Sequence, residues 1–156
     1  MLGMEVAILS DKGGRSYNED ACGHWHSERH LCCVLADGAG GHGGGDVASR
    51  LAVETLLNAF AERPTTDGDA LSELVWDTNE AVLGHRSSDK RLRDMHTTVV
   101  CLVIDFVDSM AHWSHVGDSR LYWFRDGRLR DRTLDHSLVQ SRSEEHTSEL
   151  QSRGLI

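Results

Sequence analysis

Proline is nearly missing from this 156-residue chain, with Pro64 the single example, and basic charge is scarce. Sixteen lysines and arginines face 25 aspartates and glutamates, for a net charge of -9. That balance argues against binding a phosphate backbone, which needs a basic face, so no nucleic-acid partner is expected. No apolar run approaches the length of a membrane span, and the first residues lack a charged region followed by an apolar core. Neither a membrane partner nor a signal peptide is therefore expected, and cytoplasmic location is the default. The four cysteines (Cys22, Cys32, Cys33 and Cys101) show no C-x-x-C spacing. Cys32 and Cys33 sit side by side in an apolar run, as buried reduced thiols do. The length suits one domain with a real core and is too short for two ordinary ones.

Glycine, by contrast, is concentrated. Six of the 15 glycines fall between positions 38 and 45. The apolar run Leu31-Cys32-Cys33-Val34-Leu35-Ala36 feeds directly into Asp37 and this glycine stretch, after which a helical pattern begins. That order reads as a buried strand delivering a carboxylate to a loop where the backbone comes close to a phosphate, a metal ion, or both.

Taken in order, Met4 to Leu9 has the pattern of a first strand. Ala21–His26 and His30–Ala36 read as an antiparallel pair joined by Ser27-Glu28-Arg29, which puts Glu19 and Asp20 at the same sheet end as Asp37. Asp46 to Glu62 is helical in period, with Asp46 as the expected N-cap, and Arg63-Pro64 ends it. A second helix is expected from Asp69 to about His85, followed by a charged connection from Arg86 to Arg93. The stretch 97–106 reads as a strand buried on both faces. Met110 to Val116 follows, then a corner at Gly117-Asp118-Ser119-Arg120, then a hairpin around Asp126-Gly127. Strands, two helices and more strands predict an α+β domain with antiparallel sheet.

Hard divalent cations take oxygen ligands, and Asp37, the unobstructed Gly38 carbonyl, Glu19 and Asp20 offer them. Carboxylates gathered at one sheet end repel one another without a cation. Two ions there would generate a hydroxide from bridging water and neutralise a phosphoryl group, which Arg15 is suited to clamp. Competing chemistries fare less well. No Gly-Lys-Ser/Thr follows the glycines, so a Walker loop is excluded. A zinc set from His24, His26, His30 and His42 ranks below the carboxylates, and His112 and His115 read as structural. Adjacent cysteines on a strand point to opposite faces, which gives a cysteine nucleophile little support.

Arg15-x-x-Asn18-Glu19-Asp20, Asp37-Gly38-x-Gly40-Gly41-His42, Thr97-Thr98, Val116-Gly117-Asp118-Ser119-Arg120 and Asp135-His136-Ser137, in this order, resemble the metal-dependent serine/threonine protein phosphatases of the protein phosphatase 2C type in their compact bacterial form. The resemblance implies a four-layer α-β-β-α sandwich and two Mn²⁺ or Mg²⁺ ions. Asp37 and the Gly38 carbonyl would bind metal, with Glu19 and Asp20 as direct or water-mediated partners. Arg15 would hold the substrate phosphate. His42 would act as a general acid or structure the loop, and Asp118 would support the corner or reach an outer metal shell. The implied substrate is a phosphorylated Ser/Thr protein, opposing a Ser/Thr kinase.

Two departures qualify this. His96 stands where the family usually has glycine before the threonine pair, and the family's further aspartate ligands come from beyond Asp135-His136. The expectation is a C-terminally truncated phosphatase domain over residues 1–141, its sandwich incomplete and its turnover impaired. Residues 142–156 are expected to be a non-native tail, since 142–152 resemble the in-frame translation of a sequencing-library adapter; a short polar helix is the alternative. A phosphatase-like module that binds phosphoproteins without hydrolysing them is the second functional expectation.

Overall fold

The structure, a computed structural model, describes residues 4–40 and 44–135. The expected tail, His136-Ser137 and His42 lie outside the described residues. Strands β1 (Asp20–His26) and β2 (His30–Ala39) form a hairpin, followed by helices α1 (Gly44–Glu62) and α2 (Gly68–Ser88). A 3-10 turn at Lys90–Leu92 leads to β3 (His96–Thr97), β4 (Val99–Asp105) and β5 (Met110–Val116). A second hairpin, β6 (Tyr122–Arg125) and β7 (Arg128–Arg132), completes the order.

The main sheet is antiparallel, ordered β1-β2-β4-β5, with β3 continuing the partner of β2 beyond a break at Thr98. Alternation along the strands decides what is covered. Cys32, Val34 and Ala36 of β2 and Val99, Cys101 and Val103 of β4 turn one face to the helices and are buried there. Helix α1 meets them with Ala48, Ala52, Leu56 and Phe60, and α2 adds Leu71, Val75 and Val82. Phe60 is wholly buried, with Trp25 edge-on at 5.6 Å between ring centres. Gly23 lets β1 approach α1, since a Cβ there would lie 2.9 Å from the Leu57 side chain.

The α+β architecture with antiparallel sheets is as expected. Of the four layers, the described residues show a helix pair against a five-stranded sheet, and a separate two-stranded sheet. Several local expectations need correction. Met4 to Leu9 forms no strand: its residues are exposed and no described strand pairs with them, so its apolar run has no ladder to join. Helix α1 begins at Gly44, which places Asp46 in its first turn, paired with Arg50, and not at the cap. Helix α2 starts one residue earlier than expected, capped by Asp67, whose side chain accepts the Ala70 N–H at 2.9 Å. It also runs on to Ser88, so the connection expected from Arg86 to Arg93 is helical at both ends. The strand expected at 97–106 to be buried on both faces spans 99–105 and is fully buried on the helix side only; on the other side Val100 is buried, while Leu102 and Ile104 are half-buried.

At the sheet end away from Asp37, the β4–β5 turn is locked by Asp105. Its buried carboxylate accepts two bonds from Arg29, at 3.0 and 2.9 Å, and the backbone N–H groups of Val107 and Asp108 at 2.8 and 3.0 Å. The Asp126-Gly127 turn has positive φ at both residues (53° and 70°), the geometry that a tight β-hairpin favours.

Candidate functional site

Antiparallel pairing sets Asp20 directly opposite Asp37, across the open end of β1 and β2. The Asp37 carboxyl is held above its ordinary pKa by burial first, then by the charge of Asp20 and a hydrogen bond to it, and by Asp118; Arg15 opposes the shift. Four of the expected residues thus share one electrostatic neighbourhood although they come from positions 15 to 118 of the chain. Arg15 is exposed, in a turn whose Arg15 N–H donates to Lys12 O at 3.2 Å, and has no ion-pair partner among the described residues.

Glu19 is turned elsewhere. Successive residues at a strand point to opposite sides, so while Asp20 meets Asp37, the Glu19 carboxylate lies against Gly45 in the first turn of α1. Its Oε1 is buried without a hydrogen-bond partner among the described residues. The adjoining backbone is tightly held: Ser49 Oγ donates to the Glu19 carbonyl at 2.5 Å, and Gly38 N–H donates to the same carbonyl at 3.2 Å. A Cβ on Gly38 would collide with the Gly45 carbonyl and lie 2.6 Å from the Glu19 carbonyl oxygen. Glycine at 38 is therefore demanded by packing between β1 and α1, in addition to any role for its own carbonyl.

A threonine–serine clasp, whose role the sequence did not disclose, fixes Asp37. Thr98 N–H donates to Asp37 O at 2.9 Å, Thr97 Oγ1 donates to the same oxygen at 3.0 Å, and Asp37 N–H donates to Thr98 Oγ1 at 3.0 Å. Thr98 Oγ1 also pairs with Ser119 Oγ at 2.6 Å, which ties the corner carrying Asp118 to the strand carrying Asp37. Gly117, at φ 97°, leaves room for the Thr98 methyl; a Cβ there would approach it to 2.7 Å. Arg120 is occupied by a two-pronged bond to Asp135 at 2.6 Å on each prong, so Asp135 supports this corner. The motif spacing had marked Thr97-Thr98 and Gly117–Arg120; only the fold joins them.

The alternative chemistries find little here. His24 and His26 stack on the exposed side of β1 with ring centres 6.3 Å apart, while His30 packs on Phe60 and lies 3.4 Å from Asp105 at the opposite sheet end. Cys32 and Cys101 are buried with sulfurs 3.8 Å apart, and contact with each other and burial push the Cys32 thiol far up, which makes it unreactive.

The suitability of this end for a divalent cation rests on two features. The mutual repulsion that raises Asp37 is what a cation relieves, and the orphaned Glu19 oxygen is a buried acceptor awaiting a donor or an ion. In charge and ligand type the residues fit. Among the described residues, however, no three His, Cys, Asp or Glu side chains come together as a group that would hold a metal unaided.

An α+β fold with an acidic centre at the open end of an antiparallel sheet, clasped from a second loop, defines the class. The chain belongs to the protein phosphatase 2C family, whose profile matches residues 12–153. It is 33% identical over 144 residues to the protein phosphatase PhpP of Streptococcus pneumoniae, covering 87% of this chain and 56% of that protein. It is 35% identical over 142 residues to the serine/threonine protein phosphatase PstP of Mycobacterium tuberculosis, covering 88% and 26% respectively. Among solved structures, the S. agalactiae serine/threonine phosphatase superposes with a TM-score of 0.73 at 30% identity, over 88% of this chain and 58% of that one. The M. tuberculosis PstP crystal structure gives 0.67 at 34%, over 84% and 54%. The chain thus spans about half the length of several relatives it matches. No described helix is long and apolar enough to cross a membrane.

Proposed function

We propose that the protein containing this chain is a cytoplasmic, metal-dependent phosphatase that hydrolyses phosphoserine and phosphothreonine in proteins, opposing a Ser/Thr kinase. The observation that carries this reading is the pairing of Asp20 with Asp37, whose carboxyl is raised in pKa, with Asp118 and the Arg15 guanidinium also acting on Asp37. In this reading Asp37 and the Gly38 carbonyl would hold Mn²⁺ or Mg²⁺, with Asp20 as a direct or water-mediated partner, Glu19 reaching the ion directly only by turning from Gly45 or otherwise through water, and Asp118 in an outer position. A bound cation of this kind supplies charge neutralisation for the phosphoryl group and an activated water. Arg15 orients the phosphate through its planar fork, which suits a tetrahedral oxyanion better than lysine would. The clasp of Thr97, Thr98 and Ser119 keeps Asp37 in place while charge changes around it. His42 supplies a proton to the leaving group or orders the glycine loop.

The test is phosphate release from a phosphothreonine peptide with Mn²⁺ added, for the chain and for Asp37→Asn and Arg15→Ala. Turnover that Asp37→Asn abolishes, and that Arg15→Ala lowers mainly through KM, is expected. Turnover unchanged in Asp37→Asn would overturn the assignment. A second reading, a module that binds phosphoproteins without hydrolysing them, is favoured by the described carboxylates forming a pair and not a closed metal-holding group. It predicts phosphopeptide binding dependent on Arg15 and no phosphate release at any Mn²⁺ concentration.

A further inference from the structure

Asn18 sits within the Arg15-x-x-Asn18-Glu19-Asp20 pattern but is neither a cation for phosphate nor a carboxylate for a metal ion. The two ends of its side chain have different partners. The amide oxygen accepts the Asp20 N–H at 3.0 Å, and the amide nitrogen donates to Ser10 Oγ at 2.7 Å. Chemistry fixes which end is which, because a backbone N–H can be accepted only by the oxygen. The first bond makes an Asx turn, in which a side chain closes on the backbone two residues on. The second closes the loop that carries Arg15, whose ends lie eight positions apart in the chain.

Antiparallel geometry explains why Asp20 needs that acceptor. Gly38, the residue after Asp37, donates its N–H at 3.2 Å to the carbonyl of Glu19, the residue before Asp20. Asp20 and Asp37 are therefore a non-hydrogen-bonded pair, the kind whose side chains stand closer, and the Asp20 N–H points away from β2. Among the described residues β1 is the outer strand of its sheet, so no strand there accepts this N–H. Asn18 does.

The carbonyl side of the same peptide is held by α1. Ser49 is wholly buried, and its Oγ lies 2.5 Å from the Glu19 carbonyl and 3.4 Å from the Asp46 carbonyl, three residues back. A helical serine ordinarily turns its hydroxyl to the preceding turn. Here the single hydroxyl proton goes to the nearer oxygen, outside the helix. The Glu19 carbonyl thus has two donors, Ser49 and Gly38. It joins the peptide leading into Asp20, the peptide leaving Asp37, and α1. Neighbouring carboxylates repel, so their spacing has to be set by the backbone that carries them.

We infer that Asn18 and Ser49 are positioning residues of the acidic centre. From its two sides they hold the peptide bond between Glu19 and Asp20, and so keep Asp20 at the distance from Asp37 at which a cation is shared. That cation belongs to the phosphatase reading, on which the inference rests.

Two measurements on the whole chain test it. Amide hydrogen exchange by NMR reads the clamp without metal: Asn18→Ala should speed exchange of the Asp20 N–H about fivefold or more, and Ser49→Ala that of the Gly38 N–H. Mn²⁺ calorimetry reads the positioning, and each variant should bind the ion about tenfold more weakly than the parent. Asn18→Ser keeps an oxygen able to make the same turn and should recover most of the loss. Thr78→Val controls for general loosening. It removes an equally buried hydroxyl from α2, one that donates to the Leu74 carbonyl at 2.8 Å within its own helix. Both readouts should then stay within about twofold of the parent, whatever the change in melting temperature. Asn18 lies outside the core, so Asn18→Ala decides the matter even if Ser49→Ala does not fold. Mn²⁺ affinity unchanged in the alanine variants, or lowered as much in Thr78→Val, would overturn the inference, as would unchanged exchange at Asp20 and Gly38. No Mn²⁺ binding by the parent would overturn both this inference and the phosphatase reading. Weaker Mn²⁺ binding in the variants, with no phosphate release from a phosphothreonine peptide by the parent, would leave the inference standing and remove the phosphatase reading alone.

Discussion

Thr98→Val isolates the hydroxyl that links Asp37 to Ser119. Valine keeps the β-branched shape and the methyl lodged under Gly117, and it removes only the oxygen. Two hydrogen bonds go with it: the acceptor for Asp37 N–H at 3.0 Å and the pairing with Ser119 Oγ at 2.6 Å. Each is worth about 1 kcal/mol net, and leaving an unpaired donor adds to the cost. Asp37 is exposed enough for water to replace part of this, so a loss of about 1–2 kcal/mol is expected. Urea unfolding should then show a midpoint lowered by roughly 0.5–1 M at an unchanged slope. Thr98→Ser keeps the oxygen and loses one half-buried methyl, a cost below about 0.8 kcal/mol. The order parent, serine, valine should recur in Mn²⁺ affinity, measured by calorimetry, because the clasp positions Asp37. A valine variant within about 0.3 kcal/mol of the parent, or a serine variant as unstable as valine, would refute the clasp.

The remaining consequences concern packing and charge. Gly38→Ala should cost about 3 kcal/mol or more, because the added Cβ meets backbone of Gly45 and Glu19 on both sides; a soluble, equally stable variant by thermal melting would count against that crowding. Phe60→Ala empties the space between sheet and helices and should lose about 3–5 kcal/mol in chemical unfolding, with Trp25 fluorescence reporting the loosened contact. The Asp105 carboxyl is lowered from 3.8 to about 2, first by the Asp108 backbone N–H and also by Arg29 and the Val107 N–H, against the opposing effect of burial. A folded-state pKa below the unfolded one contributes stability above about pH 4 that is lost as pH falls toward 2. Asp105→Asn should therefore flatten the acid limb of a stability–pH profile, and a profile as steep as the parent's would contradict this.

The sequence by itself determined the β1–β2 hairpin, the two helices, the hairpin turn at Asp126-Gly127 and the meeting of Asp20 with Asp37. Those features are local or follow from strand direction: periodicity chooses strand or helix, and antiparallel pairing sends two ends to one place. Motif order also led to the family. Tertiary structure decided the rest. The direction of Glu19 was decided by the position of α1, which no pattern around residue 19 encodes. The need for glycine at 38 arises from the Gly45 backbone, which belongs to another element. Met4 to Leu9 has the composition of a strand, yet a strand exists only where a neighbour takes its hydrogen bonds, and none does so among the described residues. The bond from Ser119 to Thr98, which ties the corner to the strand carrying Asp37, exists only once the two segments are folded together. Such contacts join residues far apart in the chain or depend on pairing register, whereas pattern reading follows the covalent order alone.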